Sequence, residues 1–322
     1  MVSIRDISKH TGLSIGTISR YINKSGYVSE KSGEKIEAAI KALDYVPNEH
    51  ARALFSKETK LIGVIVSSLS NPFFAELTMY LEQKAKEYGY GIILFTSDDD
   101  EEKESEALRS LKAYRVSGII TTRTQLRKEL EELNIPIITF EDNSCSNVIS
   151  VSADNYLGGQ LAFRHLYEKG CKNILHIKGP SQFYATEMRY KGFIHEADKY
   201  GVKVDVHEFL TDYKLDYDLK QMIKDIDLSS YDGIFAFNDI AATLVLSYMQ
   251  HIGIRVPEDV KLIGFDNSYI SGLVNPKLTT IEQSAKDIGF KCIELLMNNI
   301  KGEDVSQKEH LVPITLIERE ST

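Results

Sequence analysis

With 322 residues, 43% of them hydrophobic and 26% charged, and a formal net charge of −9, the chain is long enough for two or three domains, each with its own core. No apolar run reaches the roughly 18 residues of a membrane-spanning helix, and Met1-Val-Ser-Ile-Arg-Asp6 has neither the basic start nor the apolar stretch of an export signal, so no membrane partner is expected and the expected location is cytoplasmic. The acidity is uneven: residues 1–60 hold ten Lys or Arg against seven Asp or Glu while the rest holds 28 against 40, so a head of +3 sits on a body of −12 and only the head suits a polyanion.

Ile4 and Ile7 give a first short helix one apolar stripe, and Gly12 can end it in the left-handed conformation. Ser14 can cap a second helix whose Ile18, Tyr21 and Ile22 share one face. Gly16, Arg20 and Asn23 then project from the opposite face, with Thr17 and Ser19 on its flanks. A helix presenting small and polar residues and one Arg can enter the DNA major groove, where bulky apolar side chains would block the base edges. The same pattern also fits a plain three-helix domain with a solvated face. A third helix, capped by Ser29 and carrying Ile36, Ala39, Ile40 and Leu43, would close the small core. Pro47 stops it, and Asn48 can cap a further helix through Ala51, Arg52, Ala53 and Leu54 that is too short to be stable alone in water. Such a segment suits folding against DNA with Leu54 wedged between minor-groove base steps, and the alternative is an ordinary linker leucine.

These motifs run in a fixed order: Ser14 to Asn23, Val28-Ser-Glu-Lys31, Tyr45-Val-Pro-Asn48, Ala51-Arg-Ala-Leu54. In them, residues 3–55 resemble the headpiece of the lac repressor and galactose repressor family of bacterial transcription regulators. The resemblance implies contacts to double-stranded operator DNA from Ser14, Ile15, Gly16, Thr17, Ser19, Arg20, Asn23, Tyr27, Ser29 and Ser32, and from Asn48, Ala51 and the inserted Leu54 at a hinge. Ile15 and Gly16 occupy the two positions that most directly read bases in that family, and Gly16 has no side chain to read with.

From Leu61 onward, short β-branched runs such as Leu61 to Val66 and Tyr90 to Phe95 alternate with amphipathic helices such as Phe73 to Tyr88, the pattern of parallel sheets covered by helices. A weak repeat runs through it. Ala85-Lys-Glu-Tyr-Gly89 returns as Ala197-Asp-Lys-Tyr-Gly201, and Val116-Ser-Gly-Ile-Ile120 returns as Tyr231-Asp-Gly-Ile-Phe235. Two similar lobes imply a cleft, and open α/β sheets bind ligands at the carboxyl ends of their strands. Ser70-Asn-Pro-Phe-Phe74, Glu141-Asp142, Asn238-Asp239 and Gly264-Phe-Asp266 fall at those ends. Amides and carboxylates interleaved with aromatics suit a sugar, pairing with its hydroxyls while rings cover its C–H faces. Taken singly, Asn71 and Asn238 also read as helix caps and Asp266 as a turn residue. Cys145, Cys171 and Cys292 are far apart without metal-ligand spacing and read as buried thiols.

The resemblance extends over the whole chain, closest within the family to ribose operon repressors. It is carried by Asn71-Pro-Phe-Phe74, Asp154-Asn-Tyr-Leu-Gly-Gly159, Arg189 before Gly192-Phe193, Asn238-Asp239, Phe265-Asp266 and Gln283. It implies a small all-α helix-turn-helix headpiece on a two-lobed, periplasmic-binding-protein-like α/β body of parallel sheets covered by helices. The headpiece would span 1–46, a hinge helix and linker 47–60, and the sugar-binding and dimerisation body 61–322. The N-lobe is expected at about 61–157 plus 286–308, and the C-lobe at about 158–285 plus the C-terminal strand. The resemblance further implies that Phe73 and Phe74 sandwich a sugar ring, that Asn71, Arg189, Asn238, Asp266 and Gln283 bond its hydroxyls, and that Tyr213, Phe265 and Glu141 line the same site. Glu141-Asp142 departs from the ribose pattern of Asp followed by Arg, and the lost Arg and gained carboxylate weaken the ribose assignment and point to another pentose or a hexose.

The expected function is a homodimeric, sequence-specific repressor of a sugar-utilisation operon, with ribose the first candidate effector. A regulator of another carbohydrate operon, or a carbon regulator with a phosphoprotein corepressor, is the alternative. A sugar-transport protein fits the body but not the head. No catalytic role, cofactor or metal is expected, because no phosphate-cradling glycine loop, zinc-binding His pair or nucleophile elbow occurs.

Overall fold

The computed structural model describes residues 2–23, 25–45, 59–122, 129–130, 132–142, 148–209, 221–303 and 305–322. Asn48, Ala51, Leu54, Cys145 and Tyr213 lie outside the described residues. Two compact units form, residues 1–59 and 60–322.

In the first unit, helices α1 (Ile4–Thr11), α2 (Ile15–Asn23) and α3 (Glu30–Ala42) enclose a core of Ile7, Ile18 and Ile36, all fully buried, with Ala39 beside them. Ile4, Leu13, Tyr21, Ile22, Ile40 and Leu43 close its edges. The local signals explain the boundaries. Ser3 N–H donates to the Asp6 carboxylate at 2.9 Å, and Gly12 ends α1 at φ 72°, its N–H bonded to Ser8 O. Thr17 N–H donates to the Ser14 hydroxyl at 3.2 Å, as expected of a cap for α2. Ser29 occupies the N-cap position of α3, but its hydroxyl donates to Ser32 Oγ at 2.9 Å instead of accepting from the helix backbone.

The second unit holds two six-stranded sheets. The N-lobe runs β1 (Leu61–Val66), α4 (Pro72–Glu87), β2 (Gly91–Thr96), α5 (Glu101–Tyr114), β3 (Gly118–Thr121), β4 (Ile137–Phe140) and β5 (Ile149–Ala153). The C-lobe follows with α6 (Asn155–Glu168), β6 (Ile174–Lys178), α7 (Tyr184–Tyr200), β7 (Val204–Glu208), β8 (Gly233–Ala236), α8 (Asp239–His251), β9 (Lys261–Asp266) and β10 (Thr279–Gln283). Then α9 (Ala285–Ile300) and β11 (Glu309–Val312) return to the N-lobe, and β12 (Ile314–Ile317) ends in the C-lobe. The strand orders are β11-β5-β4-β3-β1-β2 and β12-β10-β9-β8-β6-β7, the same topology twice. The strands pair in parallel except for β12, which runs antiparallel to β10. One terminal strand was expected and two are present: β11 adds to the N-lobe edge and carries that lobe to Val312, past the expected limit of about 308, before the chain crosses at Pro313 to β12.

Strands buried on both faces read as continuous apolar runs, as in Leu61-Ile-Gly-Val-Ile-Val66. Ile62, Val64 and Val66 pack with Leu77, Leu81 and the α9 residues Ile288, Ile293 and Leu296 on one side of the N-lobe sheet. Ile65 and Ile119 pack with Leu108 and Leu111 on the other. Cys171 and Cys292 are free and buried, and burial pushes the Cys171 thiol up to about 11. Among the described residues no helix is long and apolar enough to cross a membrane.

Candidate DNA interface and ligand cleft

On the head, the face of α2 turned away from Ile18 is open. Ser14, Ile15, Gly16, Arg20 and Asn23 are exposed, Thr17 and Ser19 half-buried, and Ile15 stands 45% exposed although it is apolar. Arg20 Nε donates back to Gly16 O at 3.3 Å, and Asn23 Nδ2 to Ser19 Oγ at 3.1 Å, so both side chains lie along the helix surface. Tyr27 is 88% exposed just before α3, next to exposed Ser29 and half-buried Ser32. The result is a shallow surface of hydroxyls, an amide, one guanidinium and one bare apolar side chain, Ile15, which can approach base edges and phosphates together.

In the body, the two sheets place an acidic residue at equivalent strand ends. Phe140 ends β4 with Glu141 just after it, Phe265-Asp266 ends β9, and both acids take positive φ, 57° and 110°. Such backbone conformations are costly for residues other than glycine and persist where the surroundings impose them. Arg189, on α7, links the two. Its Nη2 lies 3.5 Å from Glu141 Oε1 and its Nη1 3.9 Å from Asp266 Oδ1, while Nη1 donates to Phe237 O at 2.7 Å and Nε to Asn155 Oδ1 at 2.8 Å. Asn155 Nδ2 in turn donates to Glu141 Oε1 at 3.2 Å. Gln283, at the end of β10, donates to Asp266 Oδ1 at 2.5 Å. Burial pushes the Glu141 carboxyl above its ordinary value against the opposing pull of Arg189 and Asn155. Burial likewise drives Asp266 well up, opposed by Arg189 and reinforced by Asp239 and Glu141.

Arg189 reaches this position because α6 and α7 cross with no side chain between them. A Cβ on Gly159 would collide with Arg189 O, and one on Gly192 with Tyr156 O. A second group braces the Asp266 turn. Asp239 accepts from Ser268 N at 2.8 Å and Thr280 Oγ1 at 2.6 Å, while Arg319 donates to Asn267 Oδ1 at 2.6 Å and Leu278 O at 2.7 Å. Burial lifts Asp239 to about 7, with the hydrogen bonds from Thr280 and Ser268 opposing. Across the lobes, Tyr269 N–H also donates to Glu76 Oε1 of α4 at 3.0 Å.

Glu141, Arg189, Phe265, Asp266 and Gln283 are thus drawn into one network. Asn71 and Asn238 act locally as helix caps, their Oδ1 atoms accepting from Phe73 N at 3.0 Å and Ala241 N at 2.8 Å, which leaves each amide nitrogen as the group that can face a ligand. Phe73 is buried and stacks on Phe140 at 5.7 Å between ring centres, with Phe74 edge-on to it and half-buried. Asn155 and Asp239 stand in quoted motifs without a role of their own, and Arg319 carries no signal in the sequence. In Asp154-Asn155 and Asn238-Asp239 one residue of each pair caps the helix, and the spare partner is buried without a capping role to explain it. A hollow of about 460 Å³ bordered by Pro136, Val148 and Lys308 lies at the amino ends of β4 and β5, away from these strand ends.

A three-helix head with an open polar recognition face, joined in one chain to a two-lobed body with a buried polar network between its lobes, defines the class of DNA-binding regulators with a ligand-binding body. Residues 3–48 match the bacterial regulatory proteins of the lacI family, and residues 163–322 match the periplasmic binding protein-like domain. The chain is 36% identical to the ribose operon repressor of Halalkalibacterium halodurans, covering 100% of this chain and 97% of that protein. It is 37% identical to the sucrose operon repressor of Pediococcus pentosaceus, covering 98% and 97%. The chain belongs to the lacI family. Among solved structures, a periplasmic binding protein/LacI transcriptional regulator from Alkaliphilus metalliredigens QYMF, complexed with D-xylulofuranose, is 45% identical over 82% of this chain and 99% of its own, with a TM-score of 0.78. The lac repressor dimer bound to operator shares the fold over 99% of this chain and 98% of its own, with a TM-score of 0.88 at 24% identity.

Proposed function

We propose that this chain is a homodimeric transcriptional repressor of a sugar-utilisation operon, working in the cytoplasm and controlled by a small free sugar held between the lobes of its body. The observation that carries the reading is the Arg189 network: one buried guanidinium tied to carboxylates from both lobes, at the strand ends where this architecture takes ligands. The named relatives, which are repressors rather than enzymes, support it. Two half-sites of an operator would be gripped by paired heads through Ser14, Ile15, Thr17, Arg20 and Asn23, with Leu54 inserted at the hinge. In the cleft, Phe73 and Phe74 would flank the sugar ring, and Asn71, Glu141, Arg189, Tyr213, Asn238, Asp266 and Gln283 would meet its hydroxyls, with Phe265 beneath.

Ribose is the first candidate effector, supported by ribose operon repressors at 36% and 34% identity. D-xylulose is the second, favoured by the 45% identical structure that carries D-xylulofuranose and by Glu141-Asp142, which departs from the ribose pattern. Sugar binding would shift one lobe against the other and change the order or spacing of the hinges. Coupling between two such sites is typically about 1 to 3 kcal/mol, a five- to 150-fold change in operator affinity. Footprinting on the promoter beside the gene, with and without D-ribose, D-xylulose and sucrose, tests the reading. Protection of a near-palindrome that one sugar changes is the expected result, and protection indifferent to all three would reject these effectors.

A further inference from the structure

Around Arg189 the polar network gathers acidic groups from both lobes. Glu141 and Asp266 bring four carboxylate oxygens, of which Oε1 and Oδ1 are engaged by Asn155, Arg189 and Gln283. Gln283, turned so that its amide nitrogen reaches Asp266, leaves its own buried Oε1 without a partner. Arg189 gives Nε to Asn155, one Nη1 hydrogen to Phe237 O and one Nη2 hydrogen to Glu141, three of its five N–H groups. Two carboxyl groups share one guanidinium, so this end of the cleft has no surplus positive charge for an anion. A hydroxyl completes such a wall by donating to it. A phosphate dianion or a sugar carboxylate brings acceptors and charge of the same sign, and it must shed its water beside oxygens that cannot replace that water.

We propose that Glu141, set opposite Asp266 across Arg189, makes the cleft a filter that admits uncharged, unphosphorylated sugars and turns away sugar phosphates and sugar acids. This rests on the cleft being the effector site. The filter is built symmetrically, one carboxylate from each lobe at equivalent strand ends, so closing the lobes brings both to bear on any anion between them. Glu141 is the adjustable half. It holds Asn155 and Arg189 through one oxygen, and glutamine preserves that acceptor while removing the charge.

The test is calorimetric titration of the full-length protein with D-ribose, D-xylulose and the 5-phosphate of each, repeated on Glu141→Gln and Asp266→Asn, with thermal melts to show that both variants fold. For wild type, the free sugar that binds should do so at least 100-fold more tightly than its 5-phosphate. Glu141→Gln should narrow that gap at least tenfold by strengthening phosphate binding. A 5-phosphate that binds wild type within tenfold of the free sugar overturns the filter and leaves the effector site standing. So does an unchanged gap in two variants that melt like wild type. If neither sugar nor phosphate binds although operator DNA does, the effector reading itself falls and the filter falls with it.

Discussion

The guanidinium carbon of Arg189 lies 3.6 Å from the centre of the Phe265 ring, while its nitrogens reach Asn155, Phe237 O and Glu141. The plane of the cation is thus stacked from below and fixed around its edge. Lysine can supply the charge but neither the plane nor the fork. Arg189→Lys should therefore weaken effector binding by about 100-fold, as expected for loss of charge-assisted hydrogen bonds worth about 1.5–3 kcal/mol each. Operator binding in the absence of sugar should stay within a few-fold of wild type. Parallel titrations with sugar and with operator DNA check this, and an equal loss in both would mean that Arg189 supports the fold more than the site.

The crossing of α6 and α7 makes a second expectation. Gly192 faces Tyr156 O so closely that an added methyl must push the helices apart, and the obstacle is backbone, which cannot rotate away. Gly192→Ala should cost about 1–3 kcal/mol or more, as overpacking does. It should also displace Arg189, one turn earlier on the same helix, and Asn155 at the start of the other. A urea melt and a sugar titration should both register the change. Gly201→Ala, at a helix end with open space but φ 65°, is a control that strains the chain without moving the cleft.

Much of this site was legible because it sits on elements with strong local signals. The Gly12 stop, the apolar stripe of α2 and the duplicated strand-helix pattern each have one cheap structural answer, and the repeat led to two lobes of identical strand order. What stayed hidden depends on which residue of a polar pair does the local work. Asp154 and Asn238 satisfy helix N-termini, and only the three-dimensional crossing of chains sends Asn155 to Arg189 and Asp239 to Ser268 and Thr280. Arg319 was invisible for the same reason, being tied to Asn267 from 52 residues away. The split of the last strand turns on Pro313, where a continuous apolar run changes sheets.

Gly16 carries a prediction about operator choice. A Cβ there would meet nothing nearer than Ser14 Oγ at 3.9 Å, so the fold does not require glycine at this exposed helical position. Gly16→Ala should raise the stability of the head by about 0.5–1 kcal/mol, the helix cost of glycine. If glycine is present so that the backbone can approach DNA, the same variant should weaken binding to the natural operator. Gly16→Gln should in addition shift base preference at one position of each half-site. Selection from a randomised operator pool reads this out, and an unchanged consensus for Gly16→Gln would place position 16 away from the bases.

Acid should separate the buried groups of the C-lobe by the sign of their shifts. His176 is buried in a stack with Phe235, Phe193 and Tyr190, and burial pulls its imidazole down to about 4 from 6.5, against the opposing hydrogen bond to Phe235 O. The unfolded chain takes up that proton near 6.5 and the folded chain refuses it until about 4, so stability is full above 6.5 and falls between the two, by on the order of 3 kcal/mol. Asp239, raised to about 7, acts in the opposite sense, because the folded chain holds its proton where the unfolded chain has lost it, and Glu141 and Asp266 share that sign. Glu196, held near 2 by Arg164 first, stabilises above about 4.5 and loses that contribution as pH falls toward 2. The wild-type curve between pH 6.5 and 4 is therefore a sum of opposed slopes, and the difference between variants is the informative quantity. His176→Phe keeps the ring stack and removes the proton site. Relative to its standing at pH 7.5, it should gain on wild type steadily as pH falls to 4, measured by urea unfolding at each pH, and should share the loss below 4.5 that Glu196 causes. A difference between the two proteins that stays constant across that range would show that His176 does not set the acid sensitivity of the lobe.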